Sequence, residues 1–273
     1  MKYQKYKDIK FIKDGANLIG IDARTYLNEK PNNNFVLLDE NSIKVKMLSR
    51  KYEVDEIINI CIPILYETWN PNEAFFYKNE NKFNDYYEKI CLYTNDEYFD
   101  IILQQLSEKR FLSLFENFRI SFKISGIPRT ITHQIVRHRK LNFSQESFSV
   151  SDIRKNDFTI NEQIAMNPEF IERYKTICIL SKMLYSDMID SGKVTPEFAR
   201  DIIPMGISTD IIINGNIGDI IQYINQRKFG EAMNSHRIVA KLVVKELISK
   251  NPNLWLMVKD LVKFDIENDR FEE

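Results

Sequence analysis

Apolar residues recur at two different spacings along this chain, and the change from one spacing to the other restricts the fold to a combination of helices and strands. Residues 54–68 and 96–109 carry apolar side chains at helical spacing. Every second residue from 118 to 124 is apolar, which is typical of a strand. We therefore expect an α/β (α+β) fold in which long helices pack on a mixed sheet.

Further elements are predicted from the same spacings and from turn signals. They are a strand over residues 43–47, helices over 128–139 and 168–191, a short helix after Thr195, a strand over 207–213, a turn at 214–216, and helices over 217–227 and 232–249. The acidic tail, residues 267–273, is expected to be frayed and exposed.

The length of 273 residues, of which 44% are hydrophobic, suits one large domain or two small ones. Only short apolar pieces, separated by turn residues, precede position 43. We therefore predict an N-terminal extension over residues 1–42 and a main domain over residues 43–273.

Charge and cysteine content indicate the surroundings in which this chain works. The 38 basic and 39 acidic residues nearly cancel, so we expect no nucleic-acid partner. No apolar run approaches the ~20 residues of a membrane span, and three scattered cysteines fit a reducing compartment, so we expect a cytoplasmic protein without a membrane partner. His133 and His138 lie close in sequence, but no cysteine pair accompanies them, and we predict no metal site.

A group of cationic residues ends the predicted helix over residues 128–139. Arg137, His138 and Arg139 place several donors side by side, and Gln134 would share the helix face of Arg137. The next residues are rich in serine, asparagine and glutamine, whose N–H and O–H groups suit a phosphate. The alternative is a solvated helix end whose charges interact favourably with the helix dipole.

The spacing of these residues resembles that of the flavin-dependent thymidylate synthases. Seven residues separate Arg139 from Ser147, which is similar to the Arg-His-Arg-x7-Ser signature of that family. Gln134 precedes the signature as it does in the family, and residues 114–117 are similar to its Pro-Phe-Glu-His stretch.

Two later elements add to the resemblance. Ala199 and Arg200, with Pro204 four residues on, resemble the family's Ala-Arg-x-x-x-Pro element. Asn216 precedes Arg227 by eleven residues, which matches the family's spacing of asparagine and arginine. In total, the resemblance covers residues 43 to about 260.

The resemblance implies an activity, its cofactors and an assembly. Members of this family transfer a one-carbon unit from methylenetetrahydrofolate to C5 of dUMP and reduce it with hydride from FAD, which NADPH has reduced. The implied protein is an FAD-dependent thymidylate synthase, a methyltransferase of dTMP biosynthesis with a thymidylate synthase-complementing fold. It is expected to be a homotetramer whose active sites are shared between subunits.

The resemblance also assigns roles to individual residues. The implied substrate-binding residues are Gln134, Gln145, Ser147, Arg200 and Arg227, and Arg227 is also the implied catalytic residue. The implied cofactor-binding residues are Arg137, His138, Arg139 and Asn216.

Simpler interpretations remain open for several of these residues. Arg200 could pair with Glu197 across one helical turn, and Arg227 could interact with a helix dipole. Ser147 is interpreted as a nucleotide ligand, because the sequence supplies no partner set that would make it a nucleophile. His236 is interpreted as structural.

Some positions depart from the family's pattern. Ser149 stands where the family has a nucleotide-contacting arginine, and Arg154 is the alternative source of that charge. Phe111 and Asn117 replace two histidines, and Gly218 replaces an arginine. These changes leave open a family relative that acts on or binds another pyrimidine nucleotide. A third possibility, a nucleic-acid-binding protein with Arg-His-Arg as its basic patch, is disfavoured by the net charge of −1.

Overall fold

The computed structural model describes residues 34–69, 95–109, 112–229 and 234–272. The predicted extension therefore lies outside the described residues as far as position 33, as do Cys91 and Phe111. No helix in the described ranges has both the length and the apolar character needed to cross a membrane.

Strands and α-helices alternate irregularly along the described chain. The strands are β1 (Phe35–Leu37), β2 (Lys44–Met47), β3 (Arg119–Pro128), β4 (Asn142–Gln145), β5 (Phe158–Ile160), β6 (Ser208–Asn216), β7 (Phe264–Asp265) and β8 (Arg270–Phe271). The α-helices are α1 (Val54–Trp69), α2 (Asn95–Lys109), α3 (Arg129–Ile135), α4 (Glu162–Ala165), α5 (Pro168–Asp190), α6 (Pro196–Ala199), α7 (Ile217–Arg227), α8 (Asn234–Lys250) and α9 (Pro252–Val262). Short 3-10 helices cover Leu112–Asn117, Ile153–Lys155 and Arg200–Ile202.

An antiparallel sheet of four strands, in the order β2-β3-β6-β4, forms the centre of the fold. β3 and β6 pair over their whole length, apart from a bulge between Ile124 and Ile127. Gly126 lies in this bulge with a φ of +77°, and a Cβ there would lie 2.7 Å from the Ser42 carbonyl oxygen. The bulge therefore requires glycine.

The combination of helices and strands is confirmed, but none of the sheets in the described residues combines parallel and antiparallel pairs, so the predicted mixed sheet is wrong. β1 pairs with β5 in parallel, but these two strands form a separate sheet. A single antiparallel bridge, between Phe158 and Ile207, connects this pair to the chain just before β6.

The described residues form three apolar clusters, of which the third is a small one around Ile179 and Met183 on α5. The larger core lies between the four-stranded sheet and the helices α1, α2, α7, α8 and α9, and it includes the fully buried side chains Phe118, Phe122, Tyr223 and Val243. Burying a side chain of this size contributes about 1.5 to 3 kcal/mol. The smaller core lies beside α5 and includes Phe148, Phe158, Tyr185 and Ala199.

The predicted helix over residues 128–139 is too long. α3 ends at Ile135, and Val136 is its C-cap. The backbone N–H of His138 then bonds the Ile135 carbonyl, and that of Leu141 bonds the His138 carbonyl, so Arg137–Arg139 form turns and not a helix face. Leu141 is buried, and this requirement turns the chain back toward β4.

Two other predictions are wrong. The predicted turn at 214–216 is the end of β6, since Asn214 pairs with Ser121 and Asn142 on the flanking strands. Gly215 lies within this strand because Leu141 packs against it; a Cβ there would lie 2.6 Å from Leu141 Cδ2. The acidic tail is not frayed throughout, because β8 pairs with β7 and the Phe271 ring packs edge-on against Phe264.

Candidate functional site

Arg227 and His138 meet where α7 ends and where the turn after α3 begins. Arg227 is the last residue of α7, and its Nε donates a hydrogen bond to His138 Nε2 at 3.0 Å. Both side chains are half-buried. His138 accepts this bond only as a neutral imidazole with its proton on Nδ1. We call Arg137, His138, Arg139, Tyr223 and Arg227 the His138 cluster.

A buried tyrosine and a buried histidine lie behind this contact. Tyr223 precedes Arg227 by one helical turn, and its ring meets the His138 ring edge-on, with 4.9 Å between centroids. The Tyr223 hydroxyl lies 3.1 Å from His236 Nε2, within hydrogen-bond distance. The imidazole of His138 is therefore held from one side by a ring and from the other by a guanidinium.

Burial keeps both histidines neutral. It lowers the pKa of His138 to about 4, with a further contribution from the Arg227 charge. It also lowers the pKa of His236 to about 3. At neutral pH the positive charge of the His138 cluster therefore belongs to its arginines.

Two adjoining clefts open beside the His138 cluster. The first has a volume of about 250 Å³ and is lined by residues of the turn after α3 and of α7. The second has a volume of about 650 Å³ and is lined by α7 and the 3-10 helix Leu112–Asn117. Lys140, Asp219, Gln222 and Gln226 line both clefts, so the two form one continuous surface.

The lining of these clefts fits a flavin dinucleotide. Arg137 and Arg139 line the smaller cleft and suit the paired phosphates of such a cofactor. Gln222 and Gln226 present amides suited to the polar edge of a flavin ring, and Glu116 presents a carboxylate suited to ribose hydroxyls. Asn216 lines the larger cleft, but its Oδ1 also caps α7 by accepting from the Asp219 N–H at 2.8 Å.

A second cationic group lies at the other end of α3. Arg200 Nη1 donates to Ser149 Oγ at 2.7 Å, and the Ser149 N–H approaches Ser147 Oγ at 3.4 Å. Arg129, the first residue of α3, is close enough that the Arg200 charge adds to burial in lowering the pKa of Arg129. We call Arg129, Ser147, Ser149 and Arg200 the Arg200 cluster.

The two clusters lie at opposite ends of α3, whose seven residues span about 10 Å. The structure thus brings His138 and Arg227 together, and separately brings Ser147 and Arg200 together. Arg200 bonds Ser149, whereas Arg227 bonds His138.

The remaining predicted site residues lie between the clusters. Gln134 is half-buried on α3. Gln145, on β4, donates from Nε2 to the Thr132 hydroxyl at 2.7 Å, which ties β4 to α3. In the described part of the chain, no group of three or more His, Cys, Asp or Glu side chains is arranged to hold a metal ion.

The structure gives the contacts of three residues for which simpler interpretations were open. Arg200 bonds Ser149, and no ion pair with Glu197 occurs among the described residues. Arg154, the alternative source of the missing charge, forms ion pairs with Asp152 at 2.8 Å and with Asp190 at 2.9 Å. His236 is wholly buried against Tyr223, which agrees with a structural role.

Sequence reasoning missed Tyr223 and Arg129. Tyr223 lies four residues before Arg227 on a predicted helix, so the shared helix face was a usable signal. Arg129 follows Pro128 at a predicted helix start, and nothing local indicates that it meets Arg200, which is 71 residues away.

Comparison with known proteins agrees with this arrangement. The family model "Thymidylate synthase complementing protein" matches residues 46–253. A flavin-dependent thymidylate synthase of Thermococcus onnurineus is 32% identical over 151 residues, which cover 54% of this chain and 61% of the relative.

Two further relatives carry the same name. The Pyrococcus furiosus protein is 31% identical over 143 residues (51% of this chain, 58% of the relative), and the Sulfurisphaera tokodaii protein is 26% identical over 181 residues (64% and 66%). The alignments thus span about three fifths of the length of the first two relatives. Because the family model spans most of the main domain and includes both clusters, this chain belongs to the thymidylate synthase complementing protein family.

Proposed function

We propose that this protein is an FAD-dependent thymidylate synthase. In the proposed reaction, a one-carbon unit passes from methylenetetrahydrofolate to C5 of dUMP, and reduction gives dTMP. Bound FAD, reduced by NADPH, would supply the hydride. The observation that carries the proposal is that a neutral His138 holds the Arg227 guanidinium beside a cleft lined by two further arginines.

The chemistry requires a fixed positive group near the pyrimidine. Conjugate addition at C6 of uracil, which makes C5 nucleophilic, places negative charge on the C4 carbonyl oxygen, and a preorganised guanidinium stabilises that charge. Arg227 uses its Nε–H on His138, so its Nη groups can face a ligand. Arg227 is the proposed catalytic residue, while Gln134, Gln145, Ser147 and Arg200 complete the proposed nucleotide site.

We propose Arg137, His138, Arg139 and Asn216 as the cofactor-binding residues. All four line the two adjoining clefts, which supports this assignment. The alternative, a relative that acts on another pyrimidine nucleotide, is not favoured, because the relatives reported above are all named flavin-dependent thymidylate synthases.

The test is to load purified protein with FAD and to measure dTMP formed from dUMP, methylenetetrahydrofolate and NADPH. We expect dTMP with the wild type and with Arg173→Ala, a control at an exposed arginine paired with Glu169. Arg227→Ala should lose the product while retaining FAD. A wild-type preparation that binds FAD and dUMP but forms no dTMP would contradict the proposal.

We propose a homotetramer with shared active sites. Val150 and Phe198 are 85% and 67% exposed; Val150 follows Ser149 directly, and Phe198 precedes Arg200 by two residues. Exposed apolar side chains around a charged site are typical of an interface. Light scattering should give a tetramer for the wild type and a smaller species for Phe198→Asp; a monomeric wild type would contradict the proposal.

We propose that residues 1–42 are an N-terminal extension and that residues 43–273 form the catalytic domain. In support, the family match starts at residue 46, while β1 is an added strand beside β5. Deleting residues 1–42 should lower the melting temperature but retain FAD. Loss of FAD binding by a folded deletion variant would argue against this division.

We also propose a cytoplasmic location. Cys61 and Cys178 are buried free thiols, and burial raises the pKa of each to about 12, which suits a reducing compartment. Cell fractionation tests this, and recovery of the protein outside the cytoplasm would overturn it.

A further inference from the structure

The outer face of α5 carries large apolar side chains that the described chain leaves exposed. Phe170 and Ile177 are 55% and 48% exposed, and neither belongs to one of the three apolar clusters of the described residues. Leu184 follows Ile177 by seven residues and is half-buried. A row of apolar side chains on one surface, as distinct from single ones, is typical of an interaction site.

These side chains recur at the spacing of a helix that packs against another helix. Phe170, Ile177 and Leu184 are seven residues apart, and the half-buried Leu180 lies between the last two. Apolar residues at these positions of a seven-residue repeat form a line along one side of a helix. α5 has 23 residues and spans about 35 Å, which accommodates two repeats. We call Phe170, Ile177, Leu180 and Leu184 the α5 seam.

The opposite side of α5 anchors the helix in the molecule. Cys178 and Tyr185 lie in the smaller core, and Ile179 and Met183 form the third apolar cluster. Phe170 and Ile177 are therefore not needed to hold α5 in place. Burying them against a second helix would remove apolar area from water, which favours association.

Two charges indicate the direction in which a second copy of this helix fits. Arg173 and Asp187 occupy the other intermediate positions of the repeat, near the start and near the end of α5, and both are exposed. In a parallel pair each charge would lie beside its own copy, and like charges repel. In an antiparallel pair Arg173 lies beside the partner's Asp187, and the helix dipoles also oppose each other favourably. Such exposed charges set the direction and add little to affinity.

We propose that two copies of this chain pair through the α5 seam, in antiparallel orientation around a two-fold axis near Ile177 and Leu180. In this arrangement Ile177 faces the partner's Leu180. Phe170 is level with the partner's Asp187, one helical turn from the partner's Leu184. Because a two-fold contact uses the same patch on both copies, it closes on itself and joins two chains only.

The α5 pair uses a surface other than the one around Val150 and Phe198. Phe198 lies on α6, and Val150 precedes β5, so neither belongs to the α5 seam. In a closed assembly of four chains the α5 pair would be one of the two-fold contacts. The inference thus adds a specific contact to the proposed assembly and does not depend on the proposed reaction.

Thiol cross-linking tests both the contact and its direction. Phe170→Cys, Leu184→Cys and the double variant are treated with a short bifunctional thiol reagent and run on a denaturing gel. In the antiparallel pair the two Phe170 positions lie about 25 Å apart along the helix axis, and the two Leu184 positions about 16 Å apart. Phe170 and the partner's Leu184 are offset by only about 5 Å along that axis.

We therefore expect covalent dimers from the double variant and uncross-linked chains from each single variant. The wild type is the control for the natural cysteines, of which Cys61 and Cys178 are buried. Cross-linking of either single variant with itself would reject the antiparallel pair in favour of parallel packing.

Ile177→Asp measures how much the α5 seam contributes to association. The change places a charge opposite the partner's Leu180 and leaves the buried side of α5 intact. Sedimentation over a dilution series should show that the concentration at which the copies separate rises by about tenfold or more, because two isoleucine side chains lose their burial. Ile266→Asp, the same change at another isoleucine, which is 56% exposed, should match the wild type.

Three further outcomes would overturn the inference. A double variant that forms no covalent dimer would reject the contact, and a tetramer that persists in that sample would belong to other surfaces. Ile177→Asp that separates at the same concentration as the wild type would show that the α5 seam does not join copies. Cross-linking of the double variant that occurs only after residues 1–33 are deleted would assign the α5 seam to that segment of the same chain.

Discussion

The His138 cluster and the Arg200 cluster are both cationic, but they are stabilised in opposite ways. Arg227 has a neutral acceptor in His138, and the buried Tyr223 and His236 support that acceptor. Arg129 and Arg200 repel each other electrostatically. Among the described residues, their hydrogen bonds go to neutral oxygens, the Glu146 carbonyl and the Ser149 hydroxyl. The first cluster is therefore organised without a ligand, whereas the second holds two like charges whose repulsion an anion would offset.

This difference matches the two demands of the proposed reaction. Stabilising charge on a uracil ring requires a guanidinium that is already in place, since reorganisation during the reaction would raise the barrier. Holding a phosphate requires charge and donors, and the ligand's own charge relieves the repulsion. We therefore expect substitutions in the first cluster to act mainly on kcat and those in the second on nucleotide affinity.

The largest expected effect is that of Arg227→Ala on turnover. Removing one preorganised charge-stabilising group should lower kcat by about 10² to 10³. Arg227→Lys should not restore it, because a lysine has no Nε–H with which to bond His138. Steady-state dTMP formation provides the measurement. A kcat within a few-fold of the wild type would remove the distinction between the clusters.

The next largest effect is that of Arg200→Gln on dUMP binding. Loss of a charge-assisted bond should cost about 1.5 to 3 kcal/mol. Calorimetric titration of FAD-loaded protein gives the affinity. Arg173→Gln, which removes a surface arginine from α5, is the matched control. A lowered kcat with unchanged dUMP affinity would reverse the roles assigned to the two clusters.

The hydrogen bond between Tyr223 and His236, behind His138, should contribute to the free energy of unfolding. Tyr223→Phe keeps the edge-on contact with His138 but removes the hydroxyl that bonds the buried His236, and should lower the free energy of unfolding by about 1 to 3 kcal/mol. Urea denaturation gives the value. Tyr174→Phe, which loses a bond to the Thr159 carbonyl near the smaller core, is the comparison. An unchanged Tyr223→Phe would show that the buried pair does not support the cluster.

The smallest effect is on the pH dependence of stability. The folded pKa of His138, about 4, lies below its ordinary 6.5, so between these values only the unfolded chain takes up a proton. The stability contributed by neutral His138 is complete above pH 6.5 and is lost as pH falls toward 4. His138→Gln should therefore show a shallower decline, while His133→Gln, at an exposed position, should follow the wild type. Equal slopes in wild type and His138→Gln would contradict the neutral histidine.

The spacing of apolar residues and the capping residues predicted those elements that local interactions determine. The helix over residues 217–227 is found with the predicted limits, because Asn216 caps it and its apolar stripe is regular. The end of α3 and the course of residues 214–216 were mispredicted, because burial of Leu141 and pairing with β3 and β4 override local preference there.

The candidate site shows the same division. The motif spacing identified His138, Arg200 and Arg227, since family motifs preserve sequence distances. It did not identify the proximity of Arg129 to Arg200, because that proximity depends on two distant segments meeting over the smaller core.

The central claim is that both clusters act on one nucleotide, and a crystal structure of the assembled protein with FAD and dUMP tests it most directly. We predict that Arg200 contacts the phosphate of dUMP, and that an Arg227 guanidinium held by His138 faces the uracil of that same molecule, within one chain or across a subunit boundary. A dUMP molecule whose phosphate lies against other residues, or whose uracil lies away from every Arg227, would contradict the account.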